Sequence, residues 1–156
     1  MKLSYPLAAA FAALLSLTAC GGGGGDAGNG NTSNPTATVT KTDTVVGTGA
    51  EATTGSHVLV NYTGWLYSAT ATGNKGAQFD TSVGKAPFEF IVGSGTIVGF
   101  AEGVKGMKVG GKRTVVIPSV LGYGSAGASS NGQVIIPPNT DLVFDIELVK
   151  VCGTTC

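Results

Sequence analysis

TIVGFAEGV, residues 96–104, is the one stretch in the C-terminal two-thirds of this 156-residue chain where the pattern changes from strand to short helix. Ile97, Phe100 and Val104 recur at i, i+3 and i+7, the stripe of a single apolar helix face. Gly103 and Gly106 limit how far that helix can run. Strand-like runs flank it, HVLVNYTGWL (57–66) and PFEFIV (87–92) before, KRTVVIP (112–118) and DLVFDIELVK (141–150) after. Val58, Val60 and Tyr62 fall on one face of the first run, Phe88 and Phe90 on one face of the second. In the last, Leu142, Phe144, Ile146 and Leu148 alternate with Val143, Asp145, Glu147 and Val149, a half-buried antiparallel pattern. A lone short helix among strands can bury its stripe only against the concave face of their sheet. The expected fold is therefore α+β, an antiparallel sheet wrapped around one short helix, with an apolar floor near Phe100.

Working toward the N-terminus, TVTKTDTVV (38–46) reads as a further strand, and Tyr67–Ala77 reads as a loop by composition. Residues 21–37, GGGGGDAGNGNTSNPTA, have no periodicity and too little apolar surface to offset ordering, so they read as a flexible tether. Residues 1–19 carry Lys2 and the apolar run Leu7–Leu17, which has the length of an export signal and is too short to span a membrane as a helix. That run ends in Leu17-Thr18-Ala19-Cys20, which resembles the lipobox of bacterial lipoproteins, cleaved before a cysteine that is then acylated. An ordinary signal peptide with an incidental cysteine is the alternative. On the lipoprotein reading the chain is held in the bacterial cell envelope through Cys20. Gly21 at the next position, in place of Asp, points to the outer membrane, at its periplasmic face or its surface. The organisation expected is a signal at 1–19, the lipidated cysteine and tether at 20–37, a folded domain at 38–151 and a tail at 152–156.

Charged residues make up 12% of the chain and the formal net charge is +0, with no polybasic run, so a nucleic-acid partner is not expected. Cys152 and Cys156 form a C-x3-C pair that is either a local disulfide, open to an exported chain, or two idle thiols. The spacing is neither a metal site nor the redox C-x-x-C, and neither a metal nor a cofactor is expected.

Eight short segments follow in a fixed order over about 110 residues: VNYTG (60–64), QFD (78–80), PFEF (87–90), GFAEGV (99–104), MKVGGKR (107–113), GYG (122–124), IIPP (135–138) and LVFDIEL (142–148). In this order they resemble the FKBP family of peptidyl-prolyl cis–trans isomerases. The resemblance implies a strongly bent antiparallel sheet around one short helix. It also implies a pocket in which Tyr62, Phe79, Asp80, Phe100, Tyr123 and Phe144 act on an X–Pro amide while Phe88, Ile97 and Ile136 bind the peptide. Phe90 would lie deeper, behind the pocket, and the backbone at Ile97 would hold the extended substrate. Macrolides of the tacrolimus and rapamycin type enter as candidate ligands on the same ground. The residues alone leave rivals open: Phe88, Phe90 and Phe144 also suit a plain core, Asp80 also suits an N-cap or turn, and Pro137-Pro138 also suits an edge-strand break.

The sequence departs from the family pattern at three places. The floor residue, usually tryptophan, is Phe100, and the sole tryptophan, Trp65, stands in a strand where it cannot substitute. The segment Ser125–Gln133, SAGASSNGQ, is longer and more polar than in the smallest members, and Tyr67–Ala77 is also extended. Three readings of function follow: an isomerase assisting folding of exported or envelope proteins, a non-catalytic module that binds Pro-containing or host partners, and a lipoprotein whose domain is a spacer.

Overall fold

A computed structural model describes residues 37–156. The signal, Cys20 and the tether up to residue 36 lie outside the described residues. Six strands form the main sheet, in the order β1 (Thr40–Val45), β5 (Lys112–Ile117), β8 (Leu142–Cys152), β2 (His57–Tyr67), β3 (Lys75–Thr81), with β4 (Phe88–Ile91) also paired to β2. Every pairing is antiparallel. Strand β2 is the spine: β8 covers one edge along its whole length, while β4 and β3 divide the other edge, at residues 57–60 and 63–67. A separate hairpin joins β6 (Ala128–Ser130) to β7 (Gln133–Ile136).

The register explains where the core sits. Val60 faces Leu148, Tyr62 faces Ile146 and Gly64 faces Phe144 across β2 and β8, and Val115 of β5 completes the Phe144 row. Val60, Leu148, Ile146, Val115 and Ile117 are all buried. Beyond Leu148 the partner of Leu59 is Lys150, so Val149 is an extra residue that re-phases the strand and turns Val151 toward the core.

Helix α1, Val98–Val104, lies against this buried face and buries Phe100, Ala101 and Val104. It approaches β5 through two glycines one turn apart. A Cβ on Gly99 would stand 2.2 Å from Ile117 Cγ2, and one on Gly103 would stand 2.9 Å from Val115 Cγ1. Gly103 thus serves close packing rather than helix termination, and the stop falls later, where Gly106 takes φ of 80°. Arg113, 8% exposed, holds the helix end by donating from Nη1 to the carbonyls of Gly103 (2.8 Å) and Lys105 (3.1 Å). Its other nitrogens grip Asp43 of β1 at 2.6 and 3.1 Å.

The expected fold is the observed one, with three local differences. The first strand is shorter than 38–46 and exposed along its length. Strand β3 begins at Lys75, inside the stretch expected to be loop, because Lys75 pairs with Tyr67 and its ammonium reaches Asp145 at 2.6 Å while lying 4.7 Å above the Trp65 ring. The polar segment 125–133, in which the sequence reading expects no strand, holds β6 and the start of β7. Asn131 and Gly132, at φ of 51° and 77°, form the tight turn of the β6–β7 hairpin.

Candidate active site

The concave side of the sheet and the helix enclose a cavity of about 340 Å³ lined by Tyr62, Phe79, Asp80, Phe88, Gly95, Thr96, Ile97, Phe100, Tyr123 and Phe144. Five separate elements and two loops supply these walls. Tyr62 comes from the middle of β2, at the gap between β4 and β3, where Ser82 closes the backbone: the Tyr62 N–H donates to Ser82 Oγ and the Ser82 N–H to the Tyr62 carbonyl, both at 2.9 Å. Phe88 comes from β4, Phe100 from the buried side of α1 and Phe144 from β8.

Phe79 and Asp80 are neighbours in sequence, and in a regular strand they would point to opposite faces. They line one cavity because β3 is irregular here. Gly64 pairs with Asp80 and Trp65 with Gln78, which leaves Phe79 as an extra residue and re-aims the pair.

The rings meet edge to face. Tyr62 lies 5.7 Å from Phe88 and 5.6 Å from Phe100, and Phe100 lies 5.1 Å from Phe144, between centroids. Such contacts are the preferred arrangement of aromatic quadrupoles. Phe79 closes the far side against Phe144 at 5.5 Å and 90°. Phe100 is only 3% exposed, so the ring forms the bottom of the cavity. Phe90 sits behind the wall, stacked on Phe88 at 5.5 Å.

Asp80 is the one carboxylate among the lining residues, and both of its oxygens are engaged. Oδ2 accepts the Tyr62 hydroxyl at 2.5 Å and Oδ1 accepts the Thr81 N–H at 2.8 Å. Burial pushes the Tyr62 phenol well above its ordinary range, and the bond to Asp80 and its charge push it further. Burial, then the Asp80 charge, raises Tyr123 as well. Both phenols therefore stay protonated donors at neutral pH. Tyr62 spends its proton on Asp80. Tyr123, 39% exposed at the rim, makes no hydroxyl hydrogen bond among the described residues and can turn to a ligand. The N–H of Ile97 makes no hydrogen bond among the described residues, while its carbonyl accepts the first helical N–H groups of Phe100 and Ala101.

Of the residues expected at the site, all but Ile136 line this cavity. Ile136 is 2% exposed and belongs to the core, on the hairpin strand β7. Gly95 and Thr96 are walls that the sequence reading did not single out, although the glycine-flanked turn before TIVGFAEGV marks the place. Cys152 and Cys156 are joined as a disulfide with Cα atoms 5.2 Å apart. Among the described residues no cluster of His, Cys, Asp and Glu could hold a metal ion, and no helix is long and apolar enough to cross a membrane.

Residues 49–149 match the family model of the FKBP-type peptidyl-prolyl cis-trans isomerases. The chain belongs to this family. An FK506-binding protein 1B of Neurospora crassa is 43% identical over 105 residues, covering 67% of this chain and 89% of that protein. An FK506-binding protein of Neisseria meningitidis is 42% identical over 107 residues, covering 67% of this chain and 88% of its own. The crystal structure of a peptidyl-prolyl cis-trans isomerase from Pseudomonas syringae is similar with a TM-score of 0.60 at 34% identity, over 74% of this chain and 76% of that one. FkpA from Escherichia coli gives 0.61 at 37%, over 74% and 49%. The bent sheet, the short helix and the aromatic cavity are thus an FKBP-type domain.

Proposed function

We propose that this FKBP-type domain isomerises X–Pro bonds in exported polypeptides and is held at the bacterial cell envelope by lipid on Cys20. The observation that carries the catalytic reading is the cavity itself: an aromatic enclosure whose single carboxylate is already occupied by Tyr62 and Thr81. Such a site suits a reaction in which no bond to carbon is made or broken. The planar amide is stabilised in water by its charge-separated form. An apolar pocket withdraws that solvation and binds the twisted, less polar amide better than the planar one. Phe100 offers the surface for the proline ring, Tyr123 a donor for a substrate carbonyl, and the N–H of Ile97 a point of attachment for the extended peptide. Asp80 orients Tyr62 and is not a general acid. Lowering a barrier of about 18–20 kcal/mol by roughly 5–8 kcal/mol would accelerate rotation about 10⁴- to 10⁶-fold. The same cavity is the place where a macrolide of the tacrolimus type would bind, with Phe100 in the position of the family's tryptophan. The export and lipid-anchor part rests on the pattern of residues 2–21, and the Gly- and Asn-rich composition that follows suits a spacer.

Residues 37–156, assayed on short X–Pro peptides, test the reading. Wild type accelerates cis-to-trans conversion, Asp80→Ala and Phe100→Ala lose most of it while remaining folded, and Tyr123→Phe loses part. A folded wild type that leaves the uncatalysed rate unchanged across several X residues would sink the enzyme reading and leave a Pro-binding module. In the full chain, incorporation of labelled fatty acid that disappears in Cys20→Ser tests the anchor.

A further inference from the structure

A second concavity, of about 400 Å³, lies on the other side of the cavity wall and is lined by His57, Glu89, Phe90, Ile91 and Ser94 together with two residues it shares with the aromatic pocket, Phe88 and Gly95. Phe88 is the partition. It meets Tyr62 and Phe100 edge-on at the pocket, and stacks on Phe90 at an interplanar angle of 17°. The groove runs along β4, whose outer edge has no partner strand among the described residues. Its floor is apolar and its one carboxylate is Glu89. Glu89 Oε1 is turned to the sheet end, 3.6 Å from His57 Nδ1 and 3.4 Å from the backbone nitrogen of Cys156, and Oε2 carries neither contact. In the outer-face groove near Lys75 the carboxylates already meet ammonium groups, Asp145 with Lys75 at 2.6 Å and Glu147 with Lys112 at 3.7 Å, whereas Glu89 faces an imidazole and a backbone N–H.

We propose that this groove is a second substrate subsite, taking a cationic side chain, Lys or Arg, that flanks the X–Pro bond. Its alkyl stem lies on Phe88 and Ile91 and its charge meets Glu89. The proposal rests on the isomerase reading of the aromatic pocket: a peptide held there would leave it over Gly95, which with Phe88 is common to both sites, and enter the groove directly.

The test uses peptides with one X–Pro bond and a single Lys moved through the three positions on each side of it, each beside a Gln control, read as the Lys-to-Gln ratio of kcat/KM. At low ionic strength wild type should prefer Lys at one of these positions by roughly twofold to fivefold, the range for a partly exposed ion pair. The preference should shrink in ~0.5 M salt. Glu89→Gln should bring the ratio to about one, and Glu89→Lys should take it below one, on the same electrostatic ground. A wild-type ratio of one at every position overturns the proposal, as does a Lys preference that survives Glu89→Gln. Should the folded protein isomerise none of the peptides, the pocket reading fails separately. The same ratios are then taken as Kd by titration, where a Glu89-dependent Lys preference supports the groove and its absence overturns it.

Discussion

Gly64 stands opposite Phe144 in the register of β2 and β8, and a Cβ there would lie 2.7 Å from both Phe144 Cε1 and Phe79 Cζ. The missing side chain is thus the space into which two cavity walls lean. Alanine suits a strand backbone, so Gly64→Ala isolates the displacement of those rings. It is expected to cost about 1–3 kcal/mol as overpacking, seen as a lower urea midpoint, and to lower kcat/KM for X–Pro peptides more than the stability loss explains. At this scale the sequence was partly legible. Alternation and the helical stripe put Tyr62, Phe88, Phe100 and Phe144 on buried faces, and the family resemblance put them in a pocket. Phe79 and Asp80 could be paired in one cavity only through the family resemblance, because the extra residue in β3 that aims them together leaves no period-two trace. Ile136 shows the converse: the pattern marks it as apolar without telling pocket from core.

Among elements, Arg113 ties β1 to the end of α1. Hydrogen bonding from Arg113 holds the Asp43 carboxyl below its ordinary range against the opposing effect of burial, and the charges of Arg113 and Lys41 act in the same direction. A carboxyl whose folded pKa lies below its unfolded value contributes stability that is complete above the unfolded value, about 3.9, and is lost as pH falls through the folded one. The stability difference between wild type and Asp43→Asn, measured by urea unfolding, should therefore be steady from neutral pH to about pH 5 and shrink below about pH 4. It should stay under about 1 kcal/mol, since the Asp43 side chain is 43% exposed and screened by solvent. A gap that widens on acidification would contradict this account. Element boundaries were less legible than element types. Lys75 and Gly76 lack the apolar alternation that marks a strand, and β3 begins there because of a cross-strand partner and the Asp145 ion pair. The β6–β7 hairpin was missed within a polar run, although Asn131-Gly132 is the dipeptide that a two-residue turn with positive φ requires.

For the whole molecule, the fold was legible because one helical stripe stood among clean alternations, and a single helix leaves few ways to bury a sheet. The strand order was not legible from alternation alone, since period two says which face is buried and nothing about neighbours. That order has a consequence in time. Strand β8, the last to be made, lies between β5 and β2 and carries Phe144 into the cavity. Synthesis delivers the N-terminal strands first, and long-range pairings form late. A chain ending at Thr140 should accordingly show neither cis–trans acceleration nor the dispersed amide spectrum of a folded sheet; a folded or active fragment would contradict the central role given to β8. Catalysis is then acquired in one step, with the arrival of the final strand. A nascent chain halted before that strand would hold every other wall residue of the cavity and still lack the cavity.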